Sequence, residues 1–254
     1  MSSSFVVVIC HGSYHTPEPY RPFQDALKAA GIESYCPQLP SSDLTKLNVE
    51  DVTNPDYDGD IPTGGYPQPS DDLVIINELL QDLIVKGEKN VIKRGLSGGI
   101  IGIFYACAFL IPVGDSVNGF FQPKDGSSPV VPAYCKFHAH GMNGVASTVE
   151  IAKYFFDGLD EAQAKKYEST LTASPILKTN LHNDAYTALP CTYLITENDL
   201  ALPTVYQEGM IALQNSRPGV SITIIRCPSG HSPHLTWIEG FVAAVREFGK
   251  ELPL

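Results

Sequence analysis

Apolar residues along this chain fall into two kinds of run. Stretches rich in β-branched and aromatic side chains occupy residues 5–10, 32–36, 191–195 and 220–225. Short, nearly unbroken runs of this kind mark strands covered on both faces, as in a parallel sheet. Between them the apolar positions recur at helical spacing. Phe23, Leu27 and Ala30 precede Gly31. Leu73, Ile76, Leu79, Leu80 and Leu83 follow the capping string Ser70-Asp71-Asp72 and end at Gly87. Ile238, Phe241, Val242, Val245 and Phe248 line one face of residues 237–252. The N-terminal strand, helix, strand order predicts a right-handed βαβ unit, with residues 5–10 as a central strand. The whole pattern predicts an α/β fold, a mostly parallel sheet flanked by helices, in a single domain over residues 1–254.

Two segments break the rhythm. Residues 37–70 are rich in Pro, Gly, Ser and Asp and predict a long surface excursion. Their acidic string Asp56-Tyr57-Asp58-Gly59-Asp60 lacks the ligand ladder of a calcium loop and reads as solvated. From about 114 to 188 a Gly/Pro/Ser stretch gives way to helical segments at 145–157 and 161–171, which predicts a small helical cap. Residues 90–94 (Asn-Val-Ile-Lys-Arg) predict a short strand, although two charges sit where an interior strand is normally apolar.

Charge narrows the function. The 254 residues carry a formal net charge of -11, a field that repels phosphate backbones and anionic lipid, so neither nucleic acid nor membrane is an expected partner. No apolar stretch approaches the ~20 residues a membrane span needs. The six cysteines lack CxxC spacing and predict reduced, buried thiols, with the cytoplasm as the default location.

The candidate chemistry lies after the strands. Asp199, in Thr196-Glu197-Asn198-Asp199, and His231, in Ser229-Gly230-His231-Ser232-Pro233, follow two consecutive strand runs. A serine hydroxyl needs an imidazole to take its proton and a carboxylate to hold that imidazole, and Ser97 in Gly95-Leu96-Ser97-Gly98-Gly99 completes the order Ser, Asp, His. Glu197 is the rival acid and His234 the rival base. His11-Gly12-Ser13-Tyr14 ends the first strand, so the backbone N–H groups of Ser13 or Tyr14, with that of Gly98, are the candidate oxyanion hole. His138-Ala139-His140 lacks further ligands and reads as two strand-face histidines.

These strings resemble the α/β-hydrolase superfamily, and within it the small methylesterase and hydroxynitrile lyase-like branch with its fungal and bacterial relatives. The resemblance rests on Val6-Val-Val-Ile-Cys-His-Gly12, on Leu194-Ile-Thr-Glu-Asn-Asp-Leu-Ala-Leu-Pro203 with Tyr206-Gln207, and on Gly230-His231-Ser-Pro. With the Ser, Asp, His order and the capped pocket, the expected activity is that of a cofactor-independent serine hydrolase of the esterase, lactonase or thioesterase type, acting on a small molecule, with a homodimer as the expected assembly. Gly12 and Ser232 stand where lyase-type members carry threonine and lysine, which implies the hydrolase type. Relatives have an apolar strand ending in His-Ser-x-Gly-Gly, then a full helix, then a strand resembling residues 103–112. Here Leu96 replaces the histidine, and Ser97 precedes that later strand by only a few residues. A functional elbow predicts helix from Gly99 onward. A missing elbow predicts strand over 101–110 and leaves Ser97 a look-alike, as in a vestigial binding protein or a lyase or cyclase that keeps only the base.

Overall fold

A computed structural model describes residues 5–91 and 99–252, with side chains for all of these but 87–91. In chain order the elements are β1 (Val6–Val8), α1 (Arg21–Ala29), β2 (Glu33–Tyr35), α2 (Pro69–Val91), β3 (Ile103–Ala106), α3 (Val117–Phe121), β4 (Cys135–Phe137) and β5 (Val145–Thr148). They continue with α4 (Ile151–Tyr154), α5 (Glu161–Glu168), β6 (Ser174–Pro175), β7 (Cys191–Thr196), α6 (Thr204–Asn215), β8 (Ile222–Cys227), α7 (Pro233–Thr236) and α8 (Ile238–Glu251). No helix of the described residues is long and apolar enough to cross a membrane.

The predicted βαβ unit is present: β1 lies parallel to β2, with Val6 opposite Glu33, and α1 crosses between them. Gly31, at φ +79°, ends the helix in a left-handed turn that glycine adopts without steric cost. A second parallel sheet runs β3-β7-β8. Its middle strand, β7, is buried at every residue because helices cover both faces. Cys191, Tyr193 and Ile195 point to the side of α6, where they meet Met210 and Ile211. Leu194 points the other way, to Phe241, Val242 and Val245 of α8 and to Phe23 and Leu27 of α1. Residues 114–188 add a small antiparallel sheet, β4-β5-β6.

Among the described residues the parallel strands form two separate sheets. Val7 and Ile9 on one side and Phe104 and Ala106 on the other pack into the same cluster on α8, yet β1 and β3 belong to separate sheets. The space between their edges is part of a cavity of about 2650 Å³, well above the ~300–1,000 Å³ of an ordinary small-molecule site. Among the described residues β1, expected as a central strand, has β2 as its one partner. Two departures from expectation lie beside this opening. Cys10, expected to be buried, is exposed. Asn90 and Val91, expected in a strand, end α2 instead; residues 92–94 lie outside the described residues.

Two other expectations change, and one open alternative is decided. α2 runs through Gly87, because a helical pattern with strong formers on either side tolerates one glycine. Ile103–Ala106 is a strand in parallel register with β7, Ile103 opposite Cys191, as the missing-elbow alternative predicts, so no helix directly follows Gly99. Residues 145–148 are a strand rather than part of a helix, because β-branched Val145 and Thr148 pair with β4. His138 and His140 sit just past β4. His138 Nε2 lies 2.9 Å from Ser147 Oγ and His140 Nε2 2.9 Å from the Gly59 carbonyl, so the two rings tie the acidic 56–60 string to this small sheet.

The seam between β1 and α8 is tight. A Cβ on Gly249 would run into the ring of Phe5, and an aromatic ring has little freedom to yield. Gly249→Ala should therefore destabilise the fold by about 1–3 kcal/mol as an overpacked contact, despite alanine's better helix propensity. Urea unfolding reads the difference directly; a stabilised variant would contradict the packing described.

Candidate active site

β7 and β8 end side by side, with Thr196 opposite Cys227, and the loops that follow bring Asp199 and His231 together. Glu197 N–H donates to the Cys227 carbonyl and Asn198 N–H to that of Ser229, pinning one loop to the other. His231 Nδ1 lies 2.9 Å from Asp199 Oδ2 and 3.0 Å from Oδ1. A carboxylate cannot donate, so Nδ1 carries a hydrogen, and in the neutral ring Nε2 is then the bare nitrogen. His231 also lines the cavity. That is the tautomer a general base requires.

Asp199 has no exposed side-chain surface. Its Oδ1 accepts the backbone N–H groups of Ala201 and Leu202 at 2.9 and 2.8 Å, and its Oδ2 accepts the Thr196 hydroxyl at 2.9 Å. Burial works to raise its pKa, but the charge and hydrogen bond of His231 and these three donors outweigh burial and hold the carboxyl below its ordinary range. Behind it stands Gln207 of α6, fully buried, whose side-chain amide donates to Thr196 Oγ1 at 2.9 Å and to the Leu202 carbonyl at 2.8 Å. Thr196 and Gln207 are the orienting residues that motif reading did not assign; the signal was an uncharged polar residue on the apolar face of a helix. Glu197, the rival acid, is half exposed and turned toward Arg226.

Cys107 is the other unassigned residue at this site. It follows β3 with φ +50°, an uncommon left-handed conformation for a side chain with a Cβ. Its thiol donates to the His231 carbonyl at 3.1 Å and lies 3.5 Å from Thr196 Oγ1. Ligand atoms of Cys107, Asp199 and His231 all lie within 4.8 Å of one another. Burial first, and then the Asp199 charge, push the thiol pKa well above its ordinary value. A protonated thiol is a poor nucleophile and a poor metal ligand, so Cys107 serves here as a clamp on the His231 loop.

Ser13 and Tyr14 lie on the cavity wall after β1. Tyr14 is left-handed at φ +66°, and its carbonyl accepts from Thr172 N–H. The neighbouring Gly12 N–H is already directed at the Tyr20 hydroxyl at 3.3 Å. Ser97 and Gly98 lie outside the described residues. His234, the rival base, is buried, makes no ion pair among the described residues and stacks on Tyr20, ring centroids 4.2 Å apart. Burial lowers its pKa, and the nearby His15 and His231 lower it further. His15 is likewise held neutral, down to about 3, chiefly by burial.

A family model described as "Alpha/beta hydrolase family" matches residues 7–244. An alpha/beta hydrolase, nvfD, of Aspergillus novofumigatus (strain IBT 16806) is 23% identical over 252 residues, 96% of each chain. Among solved structures, a pyrethroid hydrolase from Sphingobium faniae JZ-2 superposes with a TM-score of 0.66 at 15% identity, covering 99% of this chain and 98% of that one. Polyneuridine aldehyde esterase superposes with a TM-score of 0.63 at 10% identity, covering 98% and 99%. A methylesterase from Arabidopsis gives 0.60 at 15% identity, covering 96% and 97%. At these identities the structures share the fold.

The buried histidines set a pH dependence. His15 and His234 fold neutral, so below their ordinary pKa of 6.5 the unfolded chain binds protons that the folded chain refuses. Their contribution to stability is complete above pH 6.5 and is lost as pH falls, for His15 down to about 3. Each costs up to about 1.4 kcal/mol per pH unit in that window. His234→Phe, which keeps the stack on Tyr20, should flatten the slope by about one proton. Urea unfolding between pH 7 and 4.5 measures it; equal slopes in the two proteins would contradict the neutral assignment.

Proposed function

This chain belongs to the alpha/beta hydrolase family, and we propose that it hydrolyses a carboxylic ester, lactone or thioester of a small apolar acid without a cofactor, using His231 as base, Asp199 as the acid that orients it and Ser97 as nucleophile. The observation that carries the reading is the paired contact of His231 Nδ1 with both oxygens of the buried Asp199 carboxylate, beside a largely apolar cavity. In this scheme His231 Nε2 takes the Ser97 hydroxyl proton as the oxygen attacks the substrate carbonyl, and hands that proton to the departing alkoxide, alcohol or thiol side. Water then repeats the sequence to release the acid. Backbone N–H groups of Ser13, Tyr14 and Gly98 are the proposed donors to the transient oxyanion.

Residues 114–188 act in this proposal as the cap that selects the substrate. Phe121, Tyr134, Phe155 and Leu177 come from that segment and line the cavity, which supports an apolar acyl or alcohol group. Esterases and a pyrethroid hydrolase among the structural neighbours support ester chemistry. The proposed setting is the cytoplasm, with a small molecule as substrate.

A second reading has its own observation. Gly99 leads within a few residues into β3, and no helix follows it, whereas a serine elbow is a strand-to-helix turn. On this reading His231 serves as a base toward the substrate itself, in a lyase or cyclase, or the fold binds without turnover.

Variants separate these. With short p-nitrophenyl esters, Ser97→Ala, His231→Ala and Asp199→Asn should each lower kcat by about 10⁴-fold, the asparagine because it favours the wrong tautomer. Glu197→Gln should stay within about twofold. Activity that survives Ser97→Ala but not His231→Ala moves the assignment to the second reading. Activity that survives both overturns the proposal.

A further inference from the structure

We infer that His15 and His234 form a second recognition point in the cavity, a subsite for a neutral hydroxyl group of the substrate; this deepens the ester reading and rests on it. Three observations meet at this pair. First, both side chains are at least nine-tenths buried, at 3% and 4% exposure, and the Nε2 of each has no hydrogen-bond partner. Buried polar atoms in folded proteins almost always have one, and an exception asks for a cause. Second, both residues line the same cavity as His231. The ring of Phe155 stands between the two regions, 5.7 Å from the ring of His15 and 5.1 Å from that of His231, centroid to centroid. A molecule whose ester lies at His231 therefore reaches His15 across one aromatic ring.

Third, the tautomer of His15 specifies the ligand. His15 Nδ1 lies 2.9 Å from the Ser13 carbonyl oxygen, which only accepts, so Nδ1 bears the hydrogen and Nε2 presents a bare lone pair. The group that satisfies it must donate. A carboxylate or phosphate dianion has no proton to give. An ammonium would lose its water against Tyr20, Phe155 and Phe156, the rings packed on His15. A hydroxyl fits. The centroids of His15 and His234 are 6.4 Å apart, so the two unpartnered rings are neighbours. A hydroxyl at this pair donates to His15 Nε2. The substrate class that follows is an ester whose acid or alcohol part carries a hydroxyl near the carbonyl, on an otherwise apolar frame.

Two amides that the protein does not turn over separate this from a cavity that merely holds water. Isothermal titration should show 2-hydroxy-2-phenylacetamide binding the full chain about tenfold tighter than phenylacetamide. His15→Phe should bring the ratio to within about twofold while leaving the phenylacetamide Kd unchanged, and His234→Phe should reduce it in the same direction. Both variants are first checked for native circular dichroism, and the second stands in if the first fails to fold. Equal affinities of the two amides for the wild-type chain, absence of binding by both, or a preference that survives in the folded variants would each overturn the subsite. Because binding is read without turnover, a failure of the ester reading in the Ser97 and His231 variants leaves this result distinguishable.

Discussion

The site depends on one buried charge. Asp199 ends a strand loop with no exposed side-chain surface, a position in which an unpaired carboxylate would take up a proton instead of staying ionised. Two backbone N–H groups, the Thr196 hydroxyl and the His231 ring hold it charged. Those donors exist only because β7 and β8 end in register and because Gln207 satisfies what remains of Thr196. The same charge fixes the hydrogen of His231 on Nδ1. Sheet register, loop geometry and the basicity of one nitrogen are therefore parts of a single electrostatic arrangement.

The opening between β1 and β3 has the opposite character. Both strands rest on α8 and share its apolar cluster, although among the described residues they belong to separate sheets. Residues of both strands line the cavity. This places the loop after β1, with Ser13, Tyr14 and His15, on one side of a wide cavity and Cys107 with His231 on the other. Whatever chemistry the pair Asp199–His231 performs, it does so beside a space large enough for a substrate and lined mainly by aromatic and aliphatic side chains.

Much of this was legible in the sequence, for identifiable reasons. Asp199 and His231 could be found because each follows a strand whose apolar run is unmistakable, and α8 because five apolar positions fall on one face. The βαβ start was readable from Gly31 and the flanking runs. Residues 90–110 left two readings open because a glycine-serine string resembles an elbow locally, while the strand at Ile103–Ala106 is decided by pairing with β7, nearly ninety positions away in register. Val145–Thr148 misled for the same reason: its pairing with β4 is tertiary information. The roles of Cys107, Gln207, His15 and His234 depend on burial and on missing partners, which no spacing along the chain encodes.

The central claim is that Asp199 fixes a hydrogen of His231 on Nδ1, which in the neutral ring leaves Nε2 bare. Long-range nitrogen–proton NMR correlation on protein with ¹⁵N-labelled histidine reads that tautomer directly. For the neutral ring the account predicts a protonated Nδ1 and an unprotonated Nε2 at His231, with the pattern weakened or reversed in Asp199→Asn. A His231 that carries its hydrogen on Nε2, or that is indifferent to the asparagine substitution, would contradict it.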